Sequence, residues 1–506
     1  MEPARQFAAN ARWAMLAKLV SAGISIPFLI LLPRFLGKQV YGQFALAVAI
    51  LVVLRLLSGG GLGYATGRRL AELETEGDPR GGILAAGLSL QVLLALAVGT
   101  VFFLAAGSVG TVFGGGEGST QALGPLFQVV ALAVVFFALT EFAKAAFQGL
   151  QRFHYLALVT AIEYIGKLIL VVGLAWAGYG VTTAFKGFAL ALFFAAGTGL
   201  FLLWRIGWSR PTARVAQWKD LYLYNVPLML TTAGFIVYTE LDTMMLGYFS
   251  GFGQTGLYAA AKSIARAAPL FAVPFGQAAA PVIIRMMRDA REEAADFVNR
   301  LLRYVGAVFI PSAAAVAVTA PYLVRVWGPG FGGAALPLRV MSLFLLSISF
   351  GVVIAPILDY LGEAPRRARW MMISVAVNIG LNLVLIPRYG AVGAALSTVV
   401  THGPFVLNNL RFLADKIGLP QRRLVASLAP ILGASLAASA VAMFALNWRA
   451  NLLVGLISGA TVYLGLIFAF GVVSRAELTE VIKLVTGTGR QGEASQPELV
   501  SESAES

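Results

Sequence analysis

The sequence predicts an all-α polytopic membrane protein. Apolar residues make up 58% of its 506 positions and charged residues 12%, against about 45–50% and about 25% in ordinary proteins. The apolar residues occur in windows of about 20, the length that an α-helix needs to cross a bilayer. A segment near the N-terminus also recurs, with the same landmarks, near the middle of the chain. These observations favour a bundle of membrane-spanning helices built by internal duplication.

Fourteen apolar windows, separated by charged or by Gly- and Pro-rich segments, are long enough to cross a bilayer. The first window is too long for the apolar core of a signal peptide and lacks a convincing cleavage site, so we expect it to be the first span. The predicted limits of the spans are 13–33, 41–64, 83–106, 123–148, 156–178, 183–204, 221–247, 255–282, 301–324, 338–361, 370–387, 391–413, 424–446 and 452–473.

Three groups of landmarks repeat in the same order along the chain, which indicates an internal duplication. The offset between the two copies is 214 positions for the first two groups and 210 for the third. The matched residues are Phe35, Gly37, Gly42, Phe44 and Ala45 with Phe249, Gly251, Gly256, Tyr258 and Ala259; Val112, Phe113 and Gly114 with Val326, Trp327 and Gly328; and Tyr179, Gly180 and Ala184 with Tyr389, Gly390 and Ala394.

Lysine and arginine residues are distributed unequally between alternate loops. With the N-terminus inside, the inner segments contain 26 of them and the outer segments 7. Because cytoplasmic loops are enriched in these residues, the bias predicts a multi-pass protein of the cytoplasmic (inner) membrane with both termini in the cytoplasm. The net charge of +14 is then a signal of topology. We therefore expect the protein to contact membrane lipids and no nucleic acid.

The spans group into two lobes of six helices and a C-terminal pair. Both lobes begin and end on the inner side, which predicts a pseudo-two-fold axis along the membrane normal. The predicted N-terminal lobe is 1–204, a cytoplasmic linker is 205–220, and the C-terminal lobe is 221–413. The extra helix pair is 424–473. The remaining residues, 474–506, are expected to form a short amphipathic stretch and a disordered tail on the cytoplasmic side.

Cations inside the predicted spans are the leading candidate site. A charge at the bilayer centre costs about 2.5–3.5 kcal/mol on insertion scales, so such residues usually face a cavity or a partner. Lys262 and Arg266 are four residues apart and share a helix face. Arg55 lies about one turn from the position that the repeat matches to Arg266. We expect these residues to line a substrate-binding cationic cavity, with Lys18 as a further member that can instead snorkel from its helix end.

Carboxylates near the predicted cations allow other interpretations of the candidate site. Glu240 and Asp242 lie near the outer end of span 7 and are expected to face solvent, although carboxylates at this place can also bind a coupling Na⁺ or proton. If the cations are paired rather than free, the candidate partners are carboxylates such as Glu141 or Asp359. Loss of such a partner would destabilise the protein itself.

Five further polar residues within spans are candidates for the lining of the cavity. Glu163 and Lys167 are four residues apart and are expected to neutralise each other. Asn378 and Asn382 more often join helices by hydrogen bonds than bind substrate. His402 precedes a Gly-Pro pair that can break a helix, but a satisfied interior histidine is the favoured interpretation.

Catalytic and nucleotide-binding motifs are missing from the sequence. No Gly-rich loop ends in Gly-Lys-Ser/Thr, which disfavours ATP-driven transport by this chain. The two histidines, His154 and His402, have no metal-binding spacing, and no cofactor is expected. A membrane glycosyltransferase or polymerase is the alternative from another class of protein, but it would need catalytic acid–base groups and larger outer loops than the loop at 107–122. The sequence therefore predicts no enzymatic activity.

The order of these features resembles a known family. The predicted architecture, Pro-Arg-Phe-Leu-Gly-Lys-Gln-Val-Tyr-Gly-Gln-Phe at 33–44 and Tyr-Gly-Ala-Val-Gly-Ala-Ala at 389–395 resemble the polysaccharide-transporter flippases of the multidrug/oligosaccharidyl-lipid/polysaccharide exporter superfamily. The resemblance implies alternating-access transport of a polyprenyl-diphosphate-linked saccharide through a cationic central cavity, which Arg55, Lys262 and Arg266 would line. It also implies glycosyltransferases or polymerases as partners.

Two related activities stay open within the superfamily. Lipid II flippases are similar and have the same extra helix pair. Ion-coupled drug antiporters usually have twelve spans and acidic cavities, whereas span 1 of this sequence contains Lys18 and no acidic residue. The resemblance therefore favours a flippase over an antiporter.

Overall fold

The computed structural model describes residues 2–72, 79–114, 120–206, 215–449 and 451–472. Within these ranges the chain is helical almost throughout and contains no β-strand, which confirms the predicted fold class. The predicted C-terminal tail lies outside the described residues, as does half of the predicted linker, 207–214.

Fifteen α-helices occur in the described part of the chain, joined by short turns, one π-helical segment and three 3₁₀ segments. The π-helical segment, Lys167–Val172, connects α5 to α6, so that the three form one continuous helix. The helices are α1 Glu2–Leu57, α2 Leu62–Glu72, α3 Pro79–Gly114, α4 Thr120–Gly149, α5 Phe153–Gly166, α6 Gly173–Trp176, α7 Gly180–Arg205, α8 Val215–Phe249, α9 Gly251–Ala267, α10 Val273–Asp289, α11 Arg291–Leu323, α12 Ala335–Tyr360, α13 Ala364–Ile417, α14 Gln421–Arg449 and α15 Leu452–Ala469.

Ten helices of the described chain are long and apolar enough to cross a membrane, so the protein is a multi-pass membrane protein. Two of them, Arg12–Leu57 and Ala364–Ile417, contain 46 and 54 residues. At 1.5 Å per residue they are roughly 69 and 81 Å long, more than twice the thickness of a hydrocarbon core of about 30 Å. Their helical backbone is interrupted at Gly37 and Gly390. Each therefore has the length of two spans, and the total of fourteen spans stays a prediction.

Two of the matched pairs of landmarks are glycines that have a positive φ in both halves. Gly37 has φ 70° and its match Gly251 has φ 78°. Gly180 has φ 77° and its match Gly390 has φ 53°. Positive φ values are readily adopted only by glycine, because a Cβ atom clashes there. These matched glycines therefore lie where one helix ends and the next begins, as the predicted duplication requires.

Several predicted boundaries differ from the structure, among them the end of span 2 and the end of the linker. Helix α1 ends at Leu57, before the predicted limit at 64, because Gly59 and Gly61 have φ values of 91° and 112° and form a turn ahead of α2. Helix α8 begins at Val215, inside the predicted linker. In its first turns, Trp218 donates from Nε1 to Oγ of Ser89 over 3.1 Å, so this part of α8 packs against α3 of the other half.

The two halves meet where the second part of α1 crosses α9. A Cβ atom on Gly42 would lie 1.8 Å from the carbonyl oxygen of Phe252, and one on Gly256 would lie 2.0 Å from the carbonyl oxygen of Lys38. Gly42 matches Gly256, and Lys38 matches Phe252, at the offset of 214 positions. Each glycine therefore contacts the carbonyl of the matched residue in the other half, and the contact is reciprocal. We call it the glycine crossing. Nearby, Nε1 of Trp327 donates to the carbonyl oxygen of Leu29 over 2.9 Å.

The last two helices pack on one side of the bundle. A large apolar core contains side chains from both halves, among them Phe44 and Tyr258. A separate small core joins α14 and α15 to α11 through Ile310, Ile431 and Ile467. The C-terminal pair therefore adds to a bundle whose main core lies elsewhere.

The glycine crossing generates a prediction. Gly42→Val should destabilise the protein by about 1–3 kcal/mol, because the new side chain overlaps a backbone carbonyl that cannot move freely. Gly23→Val is the matched control, since no atom lies within 4 Å of a Cβ atom at Gly23. The measurement is the thermal unfolding midpoint of each purified protein in the same detergent. Equal midpoints for the two variants would contradict the close approach.

Candidate functional site

Four charged side chains of the C-terminal half meet between α8 and α9, and we call them the α8–α9 charge cluster: Glu240, Asp242, Lys262 and Arg266. Nζ of Lys262 lies 3.1 Å from Oδ1 of Asp242 and 3.4 Å from Oε2 of Glu240. The guanidinium of Arg266 donates to Oε1 of Glu240 over 2.8 Å. Asp242 is 1% exposed, Lys262 7% and Glu240 9%. The two buried carboxylates are therefore neutralised by the buried Lys262 and by Arg266, whose side chain is 37% exposed, as buried charges require.

Asp242 is also held by neutral donors. The backbone N–H of Thr243 donates to Oδ1 over 2.6 Å. The hydroxyl of Tyr258 donates to Oδ2, and the hydroxyl of Thr398 donates to the same oxygen over 3.4 Å. Because these groups belong to α8, α9 and α13, the carboxylate joins three helices.

The sequence prediction that Glu240 and Asp242 face solvent is wrong. Both side chains are turned into the contact between α8 and α9, where Lys262 and Arg266 lie. The paired residues are 20 to 26 positions apart along the chain. Placement near a helix end was a poor guide to exposure, because neighbouring helices cover this end of α8.

The carboxylates suggested as partners of these cations pair locally instead. Glu141 accepts from Lys144 over 2.8 Å, and Asp359 accepts from Arg367 over 2.7 Å. Neither carboxylate is therefore needed to neutralise the α8–α9 charge cluster.

Neutral polar groups continue from the cluster along α13. The hydroxyl of Tyr238 donates to the carbonyl oxygen of Thr398 over 2.7 Å and lies 3.0 Å from Oγ1 of Thr401. Nδ2 of Asn378 donates to Oγ1 of Thr401 over 3.2 Å, and Nδ2 of Asn382 donates to Oδ1 of Asn378 over 2.9 Å. Asn378 thus joins the parts of α13 before and after its break. Contact of either asparagine with substrate stays a prediction.

His402 lies in a packed interior. Its Nδ1 is 2.8 Å from Oγ of Ser347, and the rings of Tyr238 and Phe344 are centred 5.7 and 4.9 Å away. Helix α13 continues past Pro404. The Gly-Pro pair therefore does not break the helix at the histidine.

The N-terminal half contains the α4–α5 charge cluster: Glu141, Lys144, Glu163 and Lys167. Glu163 is 2% exposed and accepts hydrogen bonds from Lys144 and, over 2.5 Å, from Lys167. Nζ of Lys167 also lies 4.5 Å from the centre of the Phe188 ring. The pairing of Glu163 with Lys167 agrees with their spacing of four residues. This cluster is also neutral, because it contains two carboxylates and two ammonium groups.

Arg55 forms no ion pair with any described residue. Its Nε is buried and has no hydrogen-bond partner in the described chain. The guanidinium lies 5.3 Å from the centre of the Phe137 ring, a distance typical of a cation–π contact. Arg55 lines a cavity with Gly59, Tyr64 and Glu141 whose free space of about 20 Å³ is enough for about one water molecule.

A larger cavity of about 280 Å³ lies in the same half. It is lined by Phe137, Tyr164, Lys167 and Phe188, and by apolar side chains of α1. Phe137 therefore contacts Arg55 and also lines the cavity that Lys167 borders.

The four predicted cations occupy three different environments. Lys262 and Arg266 are paired in the C-terminal half, and Arg55 lines a cavity in the N-terminal half. Lys18 is exposed on α1. In the described part of the chain, no hydrogen bond or ring contact joins Arg55 to Lys262 or Arg266. A single cavity shared by all of them stays a prediction.

Several residues of these networks were missed by the sequence analysis. Lys144 carried a usable signal, since it lies three residues after Glu141 within an apolar window. Tyr238, Tyr258 and Thr398 carried none, because aromatic and hydroxyl side chains are common in helices and their partners lie far away in the sequence.

The α8–α9 charge cluster predicts a large difference between two aspartates. Asp242→Ala should cost about 3–5 kcal/mol of stability, because it removes the nearer of the two carboxylates that neutralise the buried Lys262 and leaves the cluster with an excess positive charge. Asp296→Ala is the matched control and should cost about 0–1 kcal/mol, since Asp296 and its partner Arg423 are 48% and 53% exposed. Thermal unfolding of the purified variants measures both effects. A small shift for Asp242→Ala would show that the cluster is not held by this ion pair.

Known proteins share both the sequence pattern and the fold. The chain is 24% identical over 407 residues to a membrane protein of Methanocaldococcus jannaschii, covering 77% of this chain and 93% of that protein. It is 22% identical over 413 residues to the Haloferax volcanii protein named "Probable low-salt glycan biosynthesis flippase Agl15", covering 80% of this chain and 83% of that protein.

Among solved structures, the lipid II flippase MurJ in an inward closed conformation superposes with a TM-score of 0.76. The alignment covers 90% of this chain and 98% of MurJ at 17% identity, so it shows a shared fold. Residues 7–287 match the family described as "Polysaccharide biosynthesis protein". This match covers more than half of the sequence and confirms the resemblance found in its motifs. The chain therefore belongs to the polysaccharide biosynthesis protein family.

Proposed function

We propose that this protein is a flippase that moves a lipid-linked oligosaccharide or polysaccharide repeat unit across the cytoplasmic membrane by alternating access. The family match, a relative named as a glycan biosynthesis flippase and the fold shared with a lipid II flippase support this proposal. The proposed substrate is a polyprenyl-diphosphate-linked saccharide.

The uncompensated charge of Arg55 is the observation that carries the proposal. The α8–α9 and α4–α5 charge clusters are each neutral. Arg55 lies beside the second cluster and adds one positive charge that no described carboxylate pairs. A buried or half-buried cation without a fixed partner is suited to binding an anionic ligand transiently.

A diphosphate has the chemistry that such a cation binds. It is a dense anion, and charge-assisted hydrogen bonds from a guanidinium can replace part of its hydration. Because Arg55 borders Phe137 and Tyr64, a bound head group would also meet aromatic side chains. Lys262 and Arg266, which the sequence suggested as co-ligands, would first have to leave Glu240.

We assign the two lobes to 1–204 and 221–413, with both termini in the cytoplasm. The reciprocal glycine crossing supports a pseudo-two-fold relation at the contact between the lobes. The excess of lysine and arginine in the predicted inner loops supports the orientation. In this arrangement the crossing lies towards the outer side, and Arg55 lies towards the cytoplasm, where the substrate is made.

The C-terminal pair offers a place for the polyprenyl chain. Helices α11, α14 and α15 enclose a cavity of about 230 Å³ with mostly apolar lining, including Ala438, Gly459 and Tyr463. Small residues on the helices leave this space open. We expect the tail to lie here or in the adjoining lipid while the head group crosses between the lobes.

The remaining partners follow from the same proposal. Glycosyltransferases or polymerases that make and use the saccharide are expected nearby, whereas this chain transports without changing covalent bonds. A coupling ion, Na⁺ or a proton, was suggested by the sequence at Glu240 and Asp242. Those carboxylates already hold Lys262 and Arg266, so an entering ion would have to displace a cation.

The decisive experiment measures translocation of a labelled polyprenyl-diphosphate-linked saccharide in proteoliposomes. Arg55→Ala should reduce transport per folded molecule about 10- to 100-fold, as expected for loss of a charge-assisted hydrogen bond worth about 1.5–3 kcal/mol. Arg55→Lys should keep part of the activity if a point charge suffices. Arg423→Ala, which removes an exposed cation, is the matched control and should transport normally.

Two results would contradict the proposal. The first is transport by folded Arg55→Ala at the wild-type rate. The second is a new glycosidic bond in the product, which would identify a glycosyltransferase or polymerase. Unfolding midpoints of the same preparations separate a loss of transport from a loss of folded protein.

A further inference from the structure

We infer that the ammonium group of Lys262 takes the place of a coupling cation in this protein, so that transport needs no Na⁺. The functional meaning of this inference rests on the proposed transport activity. Its physical content rests on the oxygen atoms and charges around Lys262.

Oxygen atoms surround the nitrogen of Lys262. It donates to the carbonyl oxygen of Thr239 and, over 3.1 Å each, to Oδ1 of Asp242 and Oγ1 of Thr243, while Oε2 of Glu240 lies 3.4 Å away. Carbonyl, carboxylate and hydroxyl oxygens are the ligands that hard metal cations take in proteins. An ammonium group has three N–H donors and satisfies such a shell from within the chain.

The cluster has no negative charge left for a second cation. Glu240 and Asp242 contribute two negative charges, and Lys262 and Arg266 contribute two positive charges. An added Na⁺ would leave the cluster with one uncompensated positive charge beside Glu240, Asp242 and Lys262, which are almost fully buried, and this is disfavoured. The site can therefore hold Lys262 or an inorganic cation at this position, but not both.

The oxygen shell is positioned by groups other than Lys262. Tyr258 and Thr398 donate to Oδ2 of Asp242, and the backbone N–H of Thr243 donates to Oδ1. Removal of the lysine side chain would therefore leave an oxygen-lined space with two carboxylates and one remaining cation, Arg266. Such a space should bind a small monovalent cation, which restores the lost charge.

The test compares the wild type with Lys262→Ala by thermal unfolding. Each protein is titrated with NaCl, KCl or methylammonium chloride, and ionic strength is held constant with N-methyl-D-glucamine chloride. The wild-type midpoint should be the same in all four salts. The midpoint of Lys262→Ala should be lower in N-methyl-D-glucamine and should rise saturably with Na⁺ or methylammonium, because a ligand that binds only the folded state stabilises it.

The double variant Lys262→Ala/Asp242→Asn is the matched control and should lose this rise, because a shell carboxylate is replaced by a neutral amide. A saturable rise of the wild-type midpoint with Na⁺ would overturn the inference. A folded Lys262→Ala protein whose midpoint no cation raises would also overturn it. If that variant does not fold, the wild-type titration decides alone.

Transport gives a second and separate measurement. Wild-type proteoliposomes should translocate substrate equally with and without a Na⁺ gradient, and a requirement for Na⁺ would contradict the inference. Absence of any transport would instead contradict the proposed function, while the stability titrations would still decide the role of Lys262.

Discussion

The ion pair between Lys262 and Asp242 joins α9 to α8 at a place where both side chains are almost fully buried. A buried charge is tolerated only when an opposite charge and good hydrogen bonds accompany it. The surrounding structure follows from that requirement, since Glu240 balances Arg266, and Tyr258 and Thr398 complete the shell of Asp242. Through these contacts the pair holds together α8, α9 and α13.

The contact between the halves has a different physical basis. At the glycine crossing, backbone meets backbone without intervening side chains, and no charged pair is needed. Close packing of small residues is a general means of helix association in membranes, where lipid offers no hydrophobic driving force between helices. Because no charged group is needed at the crossing, the charged clusters can form within each half. It also explains why the duplicated sequence keeps glycine at Gly42 and Gly256.

Together, these two constraints distinguish the charges that pair within the protein from Arg55, the charge that we propose to bind substrate. Eight charged side chains in the two clusters neutralise one another, so they serve stability first. Arg55 lies beside Phe137 and Tyr64 and pairs with no carboxylate among the described residues, which suits the proposed substrate anion. If Lys262 also takes the place of a coupling cation, its ammonium group occupies the C-terminal cluster throughout transport. The exchangeable ligand, the substrate anion, would then bind at Arg55 in the N-terminal half.

The sequence by itself determined the class of fold, the positions of the turn glycines and which spans contain charges. These properties are local or periodic: apolar length predicts a span, and glycine at Gly37 or Gly390 allows a backbone that other residues avoid. The tertiary structure decided which charges are paired. Lys262 finds Asp242 20 positions away, and burial of Glu240 depends on helices that cover it, so neither follows from spacing along one helix. Pairing across helices is set by how the helices pack, and this is why the sequence did not show that Lys262 and Arg266 pair with Glu240 and Asp242 while Arg55 lies apart from them.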